Sequence, residues 1–287
     1  WQVGWCDLRR RLGRGVAPIL QSKVRQRHGP PFSSEPVAPA NPPEATRVFG
    51  VWNGTTINPA YRTISDIAAA VHGLVPGGRW TDTEWLVKAG EGGSYQSQWD
   101  PHPLAVRSAA HFAELYYEGE RCNLTVTPYV VIRGRREWNS AEWRQIADLA
   151  AITGRVVLNL EPGDAYWNGP TDAATLLADY LVPLLSSMPA TVHLELCAIP
   201  RMWCFNTLGG IATMQTWMDQ MDSVSWECYG AIADDLKADV AIPRVRAIWP
   251  ELEPCKLIPL VNRSEIAQYA GSPLAVQGMQ VWHLGGD

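Results

Sequence analysis

The chain has 287 residues, of which 46% are hydrophobic and 18% charged, with a formal net charge of −5. That is enough apolar material for a large core and excludes a wholly disordered chain. Residues 1–47 carry eight Lys/Arg against three Asp/Glu, and the remainder sixteen against twenty-six. An acidic body argues against a nucleic-acid enzyme, which needs phosphate-neutralising charge around its site. No apolar run approaches the ~20 residues of a membrane span, and no secretory leader pattern is visible.

In chain order, residues 1–28 form a basic arm. Leu8, Leu12, Val16, Ile19, Leu20 and Val24 recur at roughly helical spacing with arginines between them. Such an arm is seldom ordered alone, so a protein partner is expected to dock it. Residues 29–47 are a proline-rich linker, because proline fixes φ and donates no amide hydrogen. From Val48 to Asp287, short apolar runs alternate with longer amphipathic ones. Strands are predicted at Val48–Trp52, Trp85–Ala89, Leu124–Ile132, Val156–Leu160, Val192–Cys197, Val224–Cys228, Leu257–Val261 and Met279–Leu284. Helices are predicted at Ile64–Leu74, Leu104–Tyr117, Ala141–Ile152, Ala173–Leu185, Thr213–Met221, a broken Ala231–Ile248 and Ser264–Ala270. Ser140 and Thr171-Asp172 serve as start signals and Gly154 as a left-handed stop.

Strands apolar on both faces that alternate with helices imply a parallel sheet. Eight of them in residues 48–287 imply an α/β fold, a (β/α)8 TIM barrel, preceded by the basic arm and linker. The turn after the first strand, Asn53-Gly54-Thr55-Thr56, lacks the G-x-G-x-x-G of a doubly wound nucleotide-binding sheet. The chain ends just after the eighth strand, and we expect the N-terminal helix or a partner to fill the last helix's place.

A barrel site lies at the C-terminal strand ends. Those ends carry Trp52, Asn53, Lys88, Glu91, Tyr129, Asn159, Glu161, Trp167, Glu227, Tyr229, Trp282, His283 and Asp287. Glu161 stands out, because a partly dehydrated carboxyl can act as a general acid. Its alternative role is an ion pair with Lys88 or Arg133. Glu195 falls within a strand and would need an ion partner there. Tryptophans number fourteen, and Trp52, Trp99, Trp138, Trp167, Trp203, Trp226 and Trp282 fall near strand ends. Flat aromatic faces beside carboxylates and amides suit sugar rings. Trp143 and Trp217, on helical patterns, are expected to pack helices on the barrel. The cysteines Cys6, Cys122, Cys197, Cys204, Cys228 and Cys255 have no zinc spacing, so no metal or other cofactor is expected.

Trp85-Leu86-Val87-Lys88-Ala89-Gly90-Glu91-Gly92 followed by Trp99-Asp100, Val156 to Pro162, Val224 to Tyr229, and Gly278 to Leu284 together resemble glycoside-hydrolase-like barrels. The fourth-strand segment is similar to the D-x-E of family 25 muramidases and family 18 chitinase-like proteins, with Asn159 in place of the aspartate. The resemblance implies a glycosidase acting on cell-wall or surface polysaccharide, with Glu161 as the acid. The second carboxylate of ordinary glycosidase chemistry would be Glu227, Asp287 or Glu91. Substrate contacts would come from Trp52, Asn53, Lys88, Glu91, Tyr129, Asn159, Trp167, Tyr229, Trp282 and His283. The alternative is a non-catalytic glycan-binding or structural barrel of a larger assembly, such as a phage tail or surface complex, held by the arm. Either reading expects an extracellular or virion-surface location.

Overall fold

The computed structural model describes residues 48–282, apart from 55, 77–79, 81, 164–165 and 273–277. The predicted arm and linker, and the rim residues His283 and Asp287, lie outside the described residues.

Eight parallel strands close on themselves. They are β1 (Val48–Trp52), β2 (Asp82–Glu91), β3 (Thr125–Val131), β4 (Arg155–Leu160), β5 (His193–Ala198), β6 (Ser223–Cys228), β7 (Ile258–Asn262) and β8 (Gly278–Trp282). Each pairs in parallel with the next, and β1 pairs with both β2 and β8. This is a closed (β/α)8 barrel. Its strands are buried on both faces, β6 at every position, which explains why they read as apolar runs. None of the described helices is long and apolar enough to cross a membrane.

The first strand and first helix fall where predicted, and Thr63 and Asp66 cap that helix reciprocally. Other bounds differ for local reasons. The second helix begins at Ala109, because Ser108 accepts from His111 N and starts it there. The third starts at Asn139, with Trp138 and not Ser140 at its cap. It ends at Gly154 with φ 70°, as predicted. The run after β4 opens on Asp172, passes through a wide turn at Leu176–Leu181 and continues to Ser186.

Side chains facing outward join the helices in the main core. Trp217 is fully buried there and Trp143 packs against its edge. Trp226 also points outward: it donates to Lys256 O at 2.8 Å and packs against Phe205 and Trp249. Alternation along β6 puts Trp226 on the opposite face from Glu227.

The inward face is polar at its lower end. Arg155 reaches Glu84 and Glu195, each at 2.6 Å, and both carboxylates are fully buried. Thr127 donates to Glu84, Ser223 to Glu195 at 3.2 Å, and Gln280 to Glu195 at 2.6 Å. Trp52 Nε1 then donates to Gln280 at 2.7 Å. Glu195 thus has the ion partner its position demands. Burial works to raise its pKa, but Arg155 and the hydrogen bonds outweigh it and hold it below the ordinary range. Glu84 goes the other way, because burial dominates.

Candidate active site at the barrel mouth

Above that polar floor lie Trp52, Leu86, Tyr129, Val131, Val157, Cys197 and Leu260, all buried. Trp52 is tilted against Tyr129 and Trp282, with ring centroids 4.5 and 5.8 Å apart. The Tyr129 hydroxyl donates to Asn53 O at 2.8 Å. This aromatic layer is the base of a cavity of about 210 Å³ lined by Lys88, Glu91, Tyr129, Val131, Arg133, Asn159, Glu161, Tyr166 and Trp282.

The second strand reaches this cavity through a register shift. Lys88 pairs with Tyr129 and Gly90 with Val130, leaving Ala89 as an extra residue. Without the bulge, Gly90 would follow Lys88 inward by one alternation and Glu91 would face the helices. With it, Glu91 joins Lys88 at the mouth, where Lys88 Nζ lies 2.8 Å from Glu91 and Arg133 pairs with its other oxygen. Gly92 (φ 54°) and Gly93 (φ 87°) then turn the chain into the short antiparallel strand Ser94–Tyr95. A side chain on Gly93 would meet Ala141 at 2.9 Å, so the turn needs glycine for space as well as for φ.

The loop after β3 is held from below by Glu142. Its carboxylate accepts from Arg133 N at 2.8 Å and Tyr180 Oη at 2.6 Å. Asn168 N donates to Arg133 O at 2.7 Å, tying this loop to the one after β4. Trp167 sits beneath that junction, edge-on to Tyr180 and Trp217, and is buried. It supports the rim and does not line the cavity.

Glu161, at the end of β4, accepts from Asn159 Nδ2 at 2.8 Å. Burial pushes its carboxyl above the ordinary range, opposed by that hydrogen bond and by Lys88 and Arg133. The two cations form their ion pairs with Glu91, so Glu161 is not consumed by them. Burial pulls Lys88 down to about 8 against the attraction of Glu161. Glu227 is buried beside the Cys197 thiol, which lies 3.7 Å away. Burial and the nearby charge of Glu161 push it up to about 8. The arrangement therefore combines a reachable carboxyl of raised proton affinity, a buried one that holds its proton near neutrality, and two cations.

The mouth also carries unmatched polar atoms. Asn159 Oδ1, Asn53 Oδ1 and Tyr229 Oη are buried and have no hydrogen-bond partner among the described residues. Tyr229 packs against Trp282 at 5.8 Å between centroids. The structure thus brings Lys88, Glu91, Tyr129, Asn159, Glu161 and Trp282 to one cavity. Trp52 and Glu227 are buried close to it. Arg133 and Tyr166, which the sequence places at strand ends without giving them a substrate contact, also line it, the Tyr166 ring 5.1 Å from the Arg133 guanidinium.

Closed parallel topology defines the class: a (β/α)8 barrel, here with a polar, carboxylate-bearing cavity at its strand ends. No family model and no curated protein sequence matches the chain. Solved structures of similar fold include the C-terminal domain of a chitinase-like protein from Desulfitobacterium hafniense DCB-2, 15% identical. That match covers 76% of this chain and 66% of the other, with a TM-score of 0.46. A mutant O-GlcNAc hydrolase of Thermobaculum terrenum is 12% identical over 83% of this chain and 54% of its own, TM-score 0.46. A GH18 chitinase of Pseudoalteromonas aurantia is 12% identical over 83% and 94%, TM-score 0.46. The chain spans less than two thirds of the length of the first two.

Proposed function

We propose that the mouth is the active site of a glycoside hydrolase acting on cell-wall or surface polysaccharide, with Glu161 as proton donor. The observation that carries this reading is the state of Glu161: cavity-lining, raised in proton affinity by burial, and left out of the Lys88–Glu91–Arg133 ion cluster. A general acid must hold its proton near working pH and reach the leaving oxygen.

The remaining carboxylates narrow the chemistry. Both oxygens of Glu91 are engaged by cations, and burial with the nearby charge of Glu161 pushes Glu227 up to about 8. Neither is a ready nucleophile at neutral pH. A sugar bearing a 2-acetamido group can supply its own carbonyl oxygen instead, as in substrate-assisted glycosidases. In that scheme Glu161 passes its proton to the glycosidic oxygen as the C–O bond breaks. The acetamido oxygen forms the new bond to the anomeric carbon, and water later opens the ring so formed. Asn159 donates through Nδ2 to Glu161, which leaves its unmatched Oδ1 to accept the acetamido N–H.

The second reading is a barrel that grips glycans without cleaving them. It is favoured by Asn159 itself, an amide that orients but supplies no charge. Hydrolysis of peptidoglycan and N-acetylated glycans, measured with wild type and Glu161→Gln, separates the two. Turnover lost in the variant supports catalysis. Turnover unaffected by the change overturns the assignment, and saturable binding without turnover in wild type establishes the second reading. Under either one we place the protein at a cell or virion surface, with residues 1–28 docked on a protein partner. Recovery solely from the cytosolic fraction would refute that placement.

A further inference from the structure

A second cavity, of about 550 Å³, adjoins the first and shares Glu91 and Arg133 with it. Its wall includes Trp99, Trp138, Arg135 and Glu137. The Arg135 guanidinium lies 4.5 Å from the Trp138 ring centroid, and Lys88 Nζ lies 5.1 Å from that of Trp99. A guanidinium laid on an indole keeps its in-plane N–H groups turned outward, the geometry that receives a carboxylate on two bonds. Arg135 has no carboxylate partner among the described residues, in contrast to Arg133, Arg155 and Arg201. Two buried donors in this wall, Arg135 Nε and Trp99 Nε1, have no acceptor among the described residues. Of the wall's carboxylates, Glu91 is neutralised by Lys88 and Arg133, and Glu137 is solvent-exposed.

We propose that this outer cavity is a subsite for an acidic sugar, with Arg135 receiving the carboxylate of a residue neighbouring the one at Glu161. The proposal rests on the glycan-site reading of the mouth and names the substrate class: a polysaccharide carrying carboxylate-bearing sugars beside N-acetylated ones. A fixed cation, unmatched donors and an aromatic floor in one groove suit a ring with an apolar face and a charged substituent. They suit a neutral sugar less well, because no hydroxyl replaces a carboxylate on the guanidinium fork.

The test uses the full chain and one oligosaccharide alternating an N-acetylhexosamine with a uronic acid, beside the same oligosaccharide with its carboxyls reduced to alcohols. Calorimetric titration is expected to show at least about tenfold tighter binding of the acidic form, a margin that shrinks as salt rises. Arg135→Ala should bring the two forms within about twofold, and Arg135→Lys should restore part of the difference. Equal binding of both forms by wild type, an undiminished preference in Arg135→Ala with an unchanged melting temperature, or no binding of either form would overturn the proposal. Hydrolysis is scored separately with Glu161→Gln. A carboxyl preference that persists while no substrate is cleaved keeps this subsite and refutes only the catalytic reading.

Discussion

At the lower end of the barrel interior, Arg155, Glu84, Glu195, Thr127, Ser223 and Gln280 form a bonded cluster in which a guanidinium faces two buried carboxylates. At the upper end, Lys88, Glu91, Arg133, Asn159 and Glu161 use the same residue types, but Asn159 keeps an unmatched acceptor and the cations pair with Glu91 rather than Glu161. Both sets stand on the same alternating inward face. In the lower set the guanidinium places both terminal nitrogens on the two buried carboxylates, leaving only Glu84 Oε2 and Arg155 Nε without partners among the described residues, so its charges serve the fold. The upper set opens on a cavity and is incompletely matched, so its polar atoms are available to a ligand.

Removing the cation from the lower end should have the largest effect. Arg155→Met leaves Glu84 and Glu195 buried without their partner and should cost about 3–5 kcal/mol of stability in denaturant unfolding. A loss below about 1 kcal/mol would show that Arg155 does not hold the two lower carboxylates as an ion-paired unit.

Next comes Glu227→Gln. Its native pKa is raised, to about 8, so the folded state binds the proton more tightly than the unfolded chain does. Its favourable contribution is complete below the unfolded carboxyl range and is lost as pH rises toward 8. The variant should flatten the decline of stability between about pH 4.5 and 8 and be the more stable form at the alkaline end. A slope identical to wild type would place the charge elsewhere.

At the open end, Glu161→Gln should lower hydrolysis at least about 100-fold while changing the melting temperature little. A large drop in melting temperature would make Glu161 a structural group and erase the contrast. The smallest effect is expected where the two ends touch. Gln280→Met strips a partner from both Glu195 and Trp52 Nε1 and should cost about 1–3 kcal/mol. If Trp52 then shifts, a change in its fluorescence should accompany any loss of glycan binding.

The barrel was legible because strands buried on both faces leave continuous apolar runs. Val48–Trp52 fell where predicted for that reason. Glu161 was legible as a strand-end carboxylate. The predicted strand starts at Val156 and leaves Arg155 outside it, since a charge ahead of Val156-Val157-Leu158 resembles a loop; its inward direction depends on the closed sheet. The directions of Trp167 and Trp226 were also hidden. An indole reads alike in sequence whether it faces a sugar or a helix, and only the phase of the strand or the path of the loop decides. Arg135 lay outside every predicted strand and acquired meaning only beside Trp138 and the Gly92-Gly93 turn.

The extra residue at Ala89 makes the counting of residues into a chemical instruction. On one side of it, even spacing along β2 sends Glu84, Leu86 and Lys88 inward; on the other, the parity is inverted and Glu91 takes the inward place. A one-residue insertion after Ala89 would leave composition nearly untouched yet turn Glu91 toward Gln145 and the helices. Lys88 and Arg133 would then be left facing Glu161, changing its proton affinity without any change to Glu161 itself.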